Sequence, residues 1–130
     1  MNKIMENQKF YIGNYKEEAK LRKGWFVGHF MDNDLRKRKE FEVKYWEFPP
    51  GKAYHEKKIQ CCAFEITFLL KGKIDGIVDK GRITLEEGQY IIVPPKVMNG
   101  FPDNVFEYSE GLTIKIPSIP GDKITKEIFE

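Results

Sequence analysis

Short apolar runs separated by turn residues fill the middle of the chain and constrain its fold more than any other feature. Between Glu65 and Pro94 these runs are interrupted at Gly72, Gly81 and Gly88. Runs this short, with alternating polarity and turn residues between them, are typical of β-strands joined by tight turns. The same pattern extends over most of the chain and predicts roughly eight to ten strands. An all-β sandwich or barrel is therefore expected, rather than strands alternating with helices.

The composition predicts one folded domain whose partners are not nucleic acids or membranes. The 130 residues are 41% hydrophobic and 14% aromatic, which is enough for a core and argues against disorder. The 22 basic residues nearly balance the 20 acidic ones, and a net charge of +2 is too small to predict binding to nucleic acid or to an anionic membrane. No apolar run approaches the ~20 residues that a membrane helix needs.

The cysteines indicate a reducing compartment. Cys61 and Cys62 are adjacent, and neighbouring side chains on a strand point to opposite faces, so the two are not expected to bond each other. The segment 1–9 carries no apolar run of the kind found in secretory signals. A cytoplasmic location is therefore predicted.

Three regions differ in texture. Residues 1–24 are polar and lysine-rich, and they predict an N-terminal arm with a short helix over 15–23. Residues 25–121 carry the strand pattern, and residues 122–130 form a charged tail.

Two motifs in the β-rich region resemble the two halves of the signature of small single-domain cupins. In the first, Glu65 precedes Gly72 by seven positions, and in the second, Gly88 precedes Pro94 by six. The likeness spans residues 41–117 and includes Pro50, Gly51, His55 and the late strand 112–116. It implies a double-stranded β-helix, the jelly-roll cupin barrel, with a ligand pocket inside. It also implies a homodimer formed through edge strands, with the arm 1–24 as a candidate contact.

The resemblance also shows which metal ligands are missing. Metal-binding cupins carry two histidines shortly before the glutamate, and those positions hold Ile59 and Cys61 here or, with the longer spacing, Lys58 and Gln60. Of the usual ligands in this motif, only Glu65 remains.

The position of the last histidine ligand holds Asn99. One carboxylate does not bind a transition metal, because such sites need about three or four ligands. No metal and no cofactor are therefore predicted. A weak site built from Cys61, Glu65, His55 and Asn99 is left open as an alternative.

Glu65 and His55 are the candidate catalytic residues. Glu65 lies in an otherwise apolar strand, where a carboxylate is costly unless it is paired or functional. His55 is either a pocket acid or base or a solvated loop residue. His29, in an apolar strand, is interpreted as structural.

Four further residues are candidate ligand-binding groups. Tyr45 and Glu47 would add hydrogen-bonding groups to the pocket if their strand turns them inward. Cys61 would share a face with Glu65 on a continuous strand. Asn99 could bind a carbonyl or hydroxyl group, or could simply belong to a turn before Gly100.

Two functions are compatible with these residues. The first is a metal-free module that binds a small polar metabolite or a sugar-like ligand in the barrel. The second is an enzyme, either a metal-free isomerase or epimerase using acid/base residues such as His55 and Glu65, or a metalloenzyme with unusual ligands.

Overall fold

The computed structural model describes residues 9–53 and 57–125, and within these ranges the chain consists almost entirely of antiparallel strands. One short helix, α1 (Tyr15–Ala19), precedes them. The strands are β1 (Trp25–Val27), β2 (Glu42–Phe48), β3 (Gly51–Lys52), β4 (Lys58–Gln60), β5 (Phe64–Val78), β6 (Gly81–Glu86), β7 (Tyr90–Val93), β8 (Asn99–Gly100), β9 (Asn104–Ile116) and β10 (Lys123–Thr125). The predicted all-β jelly roll is confirmed.

Strand β5 organises the sheet. The order of pairing is β1-β2-β9-β5-β8-β4-β10, while β6 and β7 also pair with β5, and β3 pairs with β9. The first part of β5 pairs with β7 and the later part with β6, so one strand serves both halves of a curled sheet. The bend between these parts falls at Gly72, whose φ of +100° favours glycine, and an added Cβ there would collide with Ser109.

The interior of the barrel is built in three layers across β2, β9 and β5. Cross-strand neighbours define each layer, because residues directly opposite each other share a face of the sheet. The upper layer is Glu42, Lys115 and Glu65; the middle layer is Lys44, Thr113 and Thr67; and the lower layer is Trp46, Gly111 and Leu69. Polarity therefore falls from a charged end to an apolar end.

The apolar core lies at the lower end. Trp46 and Leu69 belong to a buried cluster that also contains Ile74, Leu85, Phe101 and Val105. Gly111 is required in this layer, because an added Cβ would collide with the Trp46 ring. The indole Nε1–H of Trp46 donates to Thr113 Oγ1 at 3.1 Å and ties this core to the middle layer.

The described part of the arm is docked on the outside of the barrel. Asn14 caps α1, since its Oδ1 accepts from the backbone N–H of Glu17 at 3.0 Å. The rings of Tyr15 and Tyr45 meet edge to face, 5.0 Å apart. The helix is shorter than the predicted 15–23, and it covers the outer face of β2.

At the other end of the chain, part of the predicted tail joins the sheet as β10, which pairs with β4. The carboxylate of Asp122 accepts from the backbone N–H groups of Cys62 and Ala63, at 2.9 and 3.1 Å. In the described ranges, no helix has the length and apolarity needed to cross a bilayer.

Candidate functional site

A cavity of about 630 Å³ occupies the charged end of the barrel. Its walls include the upper-layer side chains together with Trp25, Lys44, Lys58 and Thr113. This volume lies within the range of small-molecule sites, about 300–1,000 Å³. Four lysines and three carboxylates line it, so the described wall is polar with an excess of positive charge.

Lys58 and Glu65 form an ion pair in the wall of the cavity. Lys58 Nζ lies 3.2 Å from Glu65 Oε1, and each side chain is only 7% exposed. Lys58 is on β4, which places it beside Asn99 of β8. The structure therefore places the predicted acid, Glu65, in the cavity, with a lysine as its counter-ion.

Two other lysines face the cavity without such a partner. Lys44 Nζ lies 5.5 Å from the centre of the Trp25 ring, and Lys115 Nζ lies 5.1 Å from it. Among the described residues, neither ammonium group has a carboxylate oxygen within 4.0 Å. Both contacts are cation–π interactions, which tolerate a cation but do not neutralise it.

Burial lowers the pKa of both amines. It is the main cause of the fall in the pKa of Lys44 to about 8, and the positive charge of Lys58 adds to the effect. Burial also lowers the pKa of Lys115, although the negative charge of Glu65 opposes the change. The cavity thus contains amines that give up a proton more readily than ordinary lysines.

His29 also lines the cavity, within a hydrogen-bonded chain. The hydroxyl of Ser118 donates to Glu42 Oε1 at 2.7 Å, and His29 Nδ1 lies 2.6 Å from Ser118 Oγ. Because the hydroxyl proton is used by Glu42, Nδ1 is assigned as the donor to Ser118. The predicted structural role of His29 fits this bonding, although His29 lies in the turn after β1 rather than in a strand, and its side chain also lines the cavity.

Tyr45 and Glu47 lie on the opposite face of β2 from the cavity. Tyr45 Oη is 2.9 Å from Glu47 Oε2, and Tyr108 Oη is 2.7 Å from the same atom. Hydrogen bonds from Tyr108 and Tyr45 lower the pKa of Glu47. These residues face outward because the pairing of β2 with β9 turns Glu42, Lys44 and Trp46 inward. Their proposed ligand-binding role would therefore have to be exerted outside the barrel.

Cys61 does not share a face with Glu65 on one strand. Residues 61–63 form a bend between β4 and β5, tied to Asp122, so the expected alternation is interrupted. Cys61 is half-buried and is not among the residues that line the cavity. His55 lies outside the described residues.

Asn99 is fully buried next to the Lys58–Glu65 pair. It is 1% exposed, and its Oδ1 has no hydrogen-bond partner among the described residues. Gln60 is 0% exposed and its side-chain amide is likewise without a partner there. Buried amides without partners are unusual. Neither residue is among those that line the cavity, so the ligand-binding role of Asn99 stays a prediction.

The residues at the metal-ligand positions do not fit a transition metal. The buried pair is Lys58 and Gln60, rather than Ile59 and Cys61, so the longer spacing applies. Glu65 is already neutralised by the Lys58 ammonium group. No three His, Cys, Asp or Glu residues of the described chain come together in a way that could hold a metal.

The cavity lysines were missed by reasoning from sequence. With Tyr45 and Glu47 turned inward, as the sequence analysis expects, alternation along the strand 41–48 places Lys44 outside. One signal pointed the other way: Trp46, a large core residue, has the same parity as Lys44 along the strand.

Comparison with known proteins supports the fold and no particular activity. No protein-family model matches the chain, and no curated protein matches its sequence. A Klebsiella pneumoniae protein with a double-stranded β-helix domain is similar in structure, with a TM-score of 0.64 over 90% of this chain and 97% of that chain, at 14% identity. A cupin protein from Bacteroides fragilis has a TM-score of 0.53 over 62% of this chain and 69% of that chain, at 19% identity. This chain has the cupin fold.

The fold is shared with enzymes. Oxalate decarboxylase from Bacillus subtilis has a TM-score of 0.61 at 12% identity, covering 71% of this chain but only 26% of that longer one. Likenesses this distant establish the cupin fold alone, because one fold hosts many functions. Only the residues of its own cavity therefore bear on what this chain does.

Proposed function

We propose that the barrel binds a small polar metabolite carrying a carboxylate or a similar anionic group, and that it does so without a metal ion. The observation that carries the proposal is the pair of ammonium groups, Lys44 and Lys115, which share the Trp25 ring and have no carboxylate within 4.0 Å among the described residues. Both side chains are half-buried, and a charge partly removed from water is costly when it is unpaired, so an anionic ligand would relieve that cost. We expect this binding to take place in the cytoplasm, the reducing compartment that the free cysteines predict.

The class of ligand follows from the rest of the wall. Trp25 and Phe30 offer apolar ring surface, while Thr113 and the charged residues offer hydrogen bonds. Aromatic surface combined with a few polar groups suits a sugar-like ligand. A sugar acid or a hydroxy acid would use both features of the cavity.

The binding proposal predicts a preference for acids over neutral sugars. Isothermal titration calorimetry with galacturonate and galactose compares two probes that differ by a carboxylate in place of a hydroxymethyl group. We expect binding of galacturonate only. The Lys115→Met variant should bind it about tenfold or more weakly, because a hydrogen bond to a charged group contributes about 1.5–3 kcal/mol.

The matched control is Lys80→Met, which removes the same charge from an exposed turn and should leave the affinity unchanged. Equal binding of both sugars, or an unchanged affinity in Lys115→Met, would argue against an anion site.

Acid/base catalysis is a second candidate function. The sequence favours His55 and Glu65 for this role. The salt bridge between Glu65 and Lys58 makes Glu65 less suited to it. The chain from Glu42 through Ser118 to His29 favours it instead, since a carboxylate-linked imidazole is oriented for proton transfer. Turnover of a bound acid would indicate that the protein is an isomerase or epimerase rather than a binding module.

We also propose that two copies of the chain associate through the outer face of the sheet. Phe64, Ile66 and Phe68 of β5 lie beside Ile116 of β9 and Ile92 of β7 in register. Ile92 is 51% exposed and Tyr90 is 59% exposed. Contiguous apolar surface of this kind marks an interaction site, and a second copy would cover it symmetrically.

The association predicts a dimer in size-exclusion chromatography with light scattering. Ile92→Lys should shift the protein to a monomer, because it places a charge in the apolar contact. Thr84→Lys, on the exposed surface of β6, should remain dimeric. A monomeric wild-type protein would exclude this role for the sheet face.

A further inference from the structure

We infer that Lys44 is a nucleophilic amine, and that it captures the carbonyl group of an aldehydic or keto acid as an imine inside the barrel. The inference rests on the proposed function, because the acid group of the ligand would be held by Lys115. It extends that function from reversible binding to covalent chemistry at a named nitrogen.

The layers of the barrel distinguish the two lysines. Lys115 stands in the upper layer, opposite Glu42 on one side and Glu65 on the other. Lys44 stands one layer lower, opposite Thr113 on β9 and Trp25 on β1. The cross-strand neighbours of Lys115 are therefore carboxylates, which support its charge from beyond 4.0 Å, whereas those of Lys44 are neutral.

The charged groups that act on Lys44 mostly oppose its protonation. Burial is the largest cause of its lowered pKa, Lys58, Lys115 and Lys123 lower it further, and Glu65 opposes them. With a pKa of about 8, against an ordinary 10.5, roughly one tenth of the amine is neutral at pH 7 rather than about one part in three thousand. Neutral amine is the form that attacks carbonyl carbon.

The reaction balances without any oxidant, reductant or metal. The Lys44 nitrogen attacks the carbonyl carbon and gives a carbinolamine. Loss of water then removes the carbonyl oxygen with two protons, and a carbon–nitrogen double bond remains. Hydrolysis reverses both steps, so the imine persists only while the ligand occupies the cavity. An imine formed in this way withdraws electrons from the adjacent carbon, which is how amines activate carbonyl substrates.

Reductive trapping tests the inference on the wild-type protein. The probe is glyoxylate, an aldehyde with a carboxylate, added at pH 7 with sodium cyanoborohydride. Trapping would leave one carboxymethyl group on Lys44, located by mass spectrometry after digestion. We expect Lys44 to be labelled at least about tenfold faster than Lys80, after allowing for the weaker nucleophilicity of an amine of low pKa. Its rate should reach half of its maximum near pH 8.

Two competitors define the site. Glycolate has the carboxylate of glyoxylate but no carbonyl group, and it should slow labelling of Lys44 without affecting Lys80. Propanal has the carbonyl group but no carboxylate, and it should label Lys44 more slowly than glyoxylate does. Lys44→Met should abolish the fast label, and Lys115→Met should slow it with glyoxylate more than with propanal.

The outcomes separate the two proposals. If glycolate binds in calorimetry but Lys44 is labelled no faster than Lys80, the imine is excluded while the anion site stands. If neither glycolate nor galacturonate binds and labelling is uniform, both proposals fail. Fast labelling of Lys44 that glycolate suppresses supports both, and the wild-type result does not depend on whether a variant folds.

Discussion

Replacing Glu65 with glutamine is expected to lower the free energy of unfolding by about 3–5 kcal/mol at pH 7. Lys58 and Glu65 are each 7% exposed and are joined at 3.2 Å, so the substitution would leave the ammonium group of Lys58 in the barrel without its counter-ion. A buried charge without a partner is far more costly than a buried pair. Urea-induced unfolding followed by circular dichroism measures the loss.

A double-mutant cycle identifies the cause. Lys58→Met combined with Glu65→Gln removes both charges, and the double variant should recover most of the stability that either single variant loses, because buried pairs are often replaceable by neutral groups. Glu107→Gln is the matched control on an exposed position and should change stability by less than ~0.5 kcal/mol. Additive losses in the double variant would show that the two charges do not depend on each other.

The same substitution bears on function. If Glu65 acts on the ligand, affinity or turnover should fall in Glu65→Gln even at temperatures where the variant is fully folded. If only stability changes, the carboxylate serves to hold Lys58 in place, and the functional centre lies with the unpaired lysines.

The second large effect is a gain in stability with rising pH that depends on Lys44. Its pKa is about 8 in the folded protein and 10.5 is the ordinary value, so the unfolded chain binds more protons between these values. Unfolding free energy should therefore rise as the pH increases from about 8 to about 9.5, by roughly 1–2 kcal/mol once partial solvent screening is allowed for. Below about pH 7 the amine is protonated in both the folded and the unfolded state, so its cost to stability is nearly constant.

The difference between wild type and Lys44→Met isolates this effect from other titrating groups. Lys44→Met should be more stable than wild type at pH 7, and the difference should shrink as the pH rises. Lys80→Met, with the charge removed from an exposed turn, should follow the wild-type curve. If the stability curves of wild type and Lys44→Met run parallel between pH 7 and about 9.5, the pKa of the Lys44 amine is not lowered by folding. A variant that is more stable but no longer binds ligand would be a case of stability traded for function.

Local sequence signals predicted the strands and turns well. Gly81 follows the turn that leads into β6, and Gly88 lies in the turn between β6 and β7, because glycine and short polar segments interrupt strands for local reasons. Gly72 was expected to interrupt a strand in the same way, but it marks a bend within the continuous strand β5. The inward position of Glu65 followed from alternation along β5 and from the resemblance to cupins, and the cavity contains it.

The orientation of β2 could not be predicted in the same way. Both faces of β2 carry large side chains, and α1 covers the outer one, so Tyr45 is buried without facing the cavity. Which face turns inward depends on pairing with β9, including the space that Gly111 leaves for Trp46. Whether Lys44 faces the cavity therefore depends on the tertiary fold, because the register between two distant strands cannot be predicted from either strand alone.

The layered interior separates the part of the barrel that folds from the part that recognises a ligand. The apolar lower layer closes on its own cluster of buried side chains, while Lys44 and Lys115 stand above it with no described carboxylate to hold them. Mutations at those two positions can change the chemistry of the cavity without disturbing the core beneath. A protein with such a barrel could therefore change its ligand through single substitutions at these positions, and each variant would remain folded.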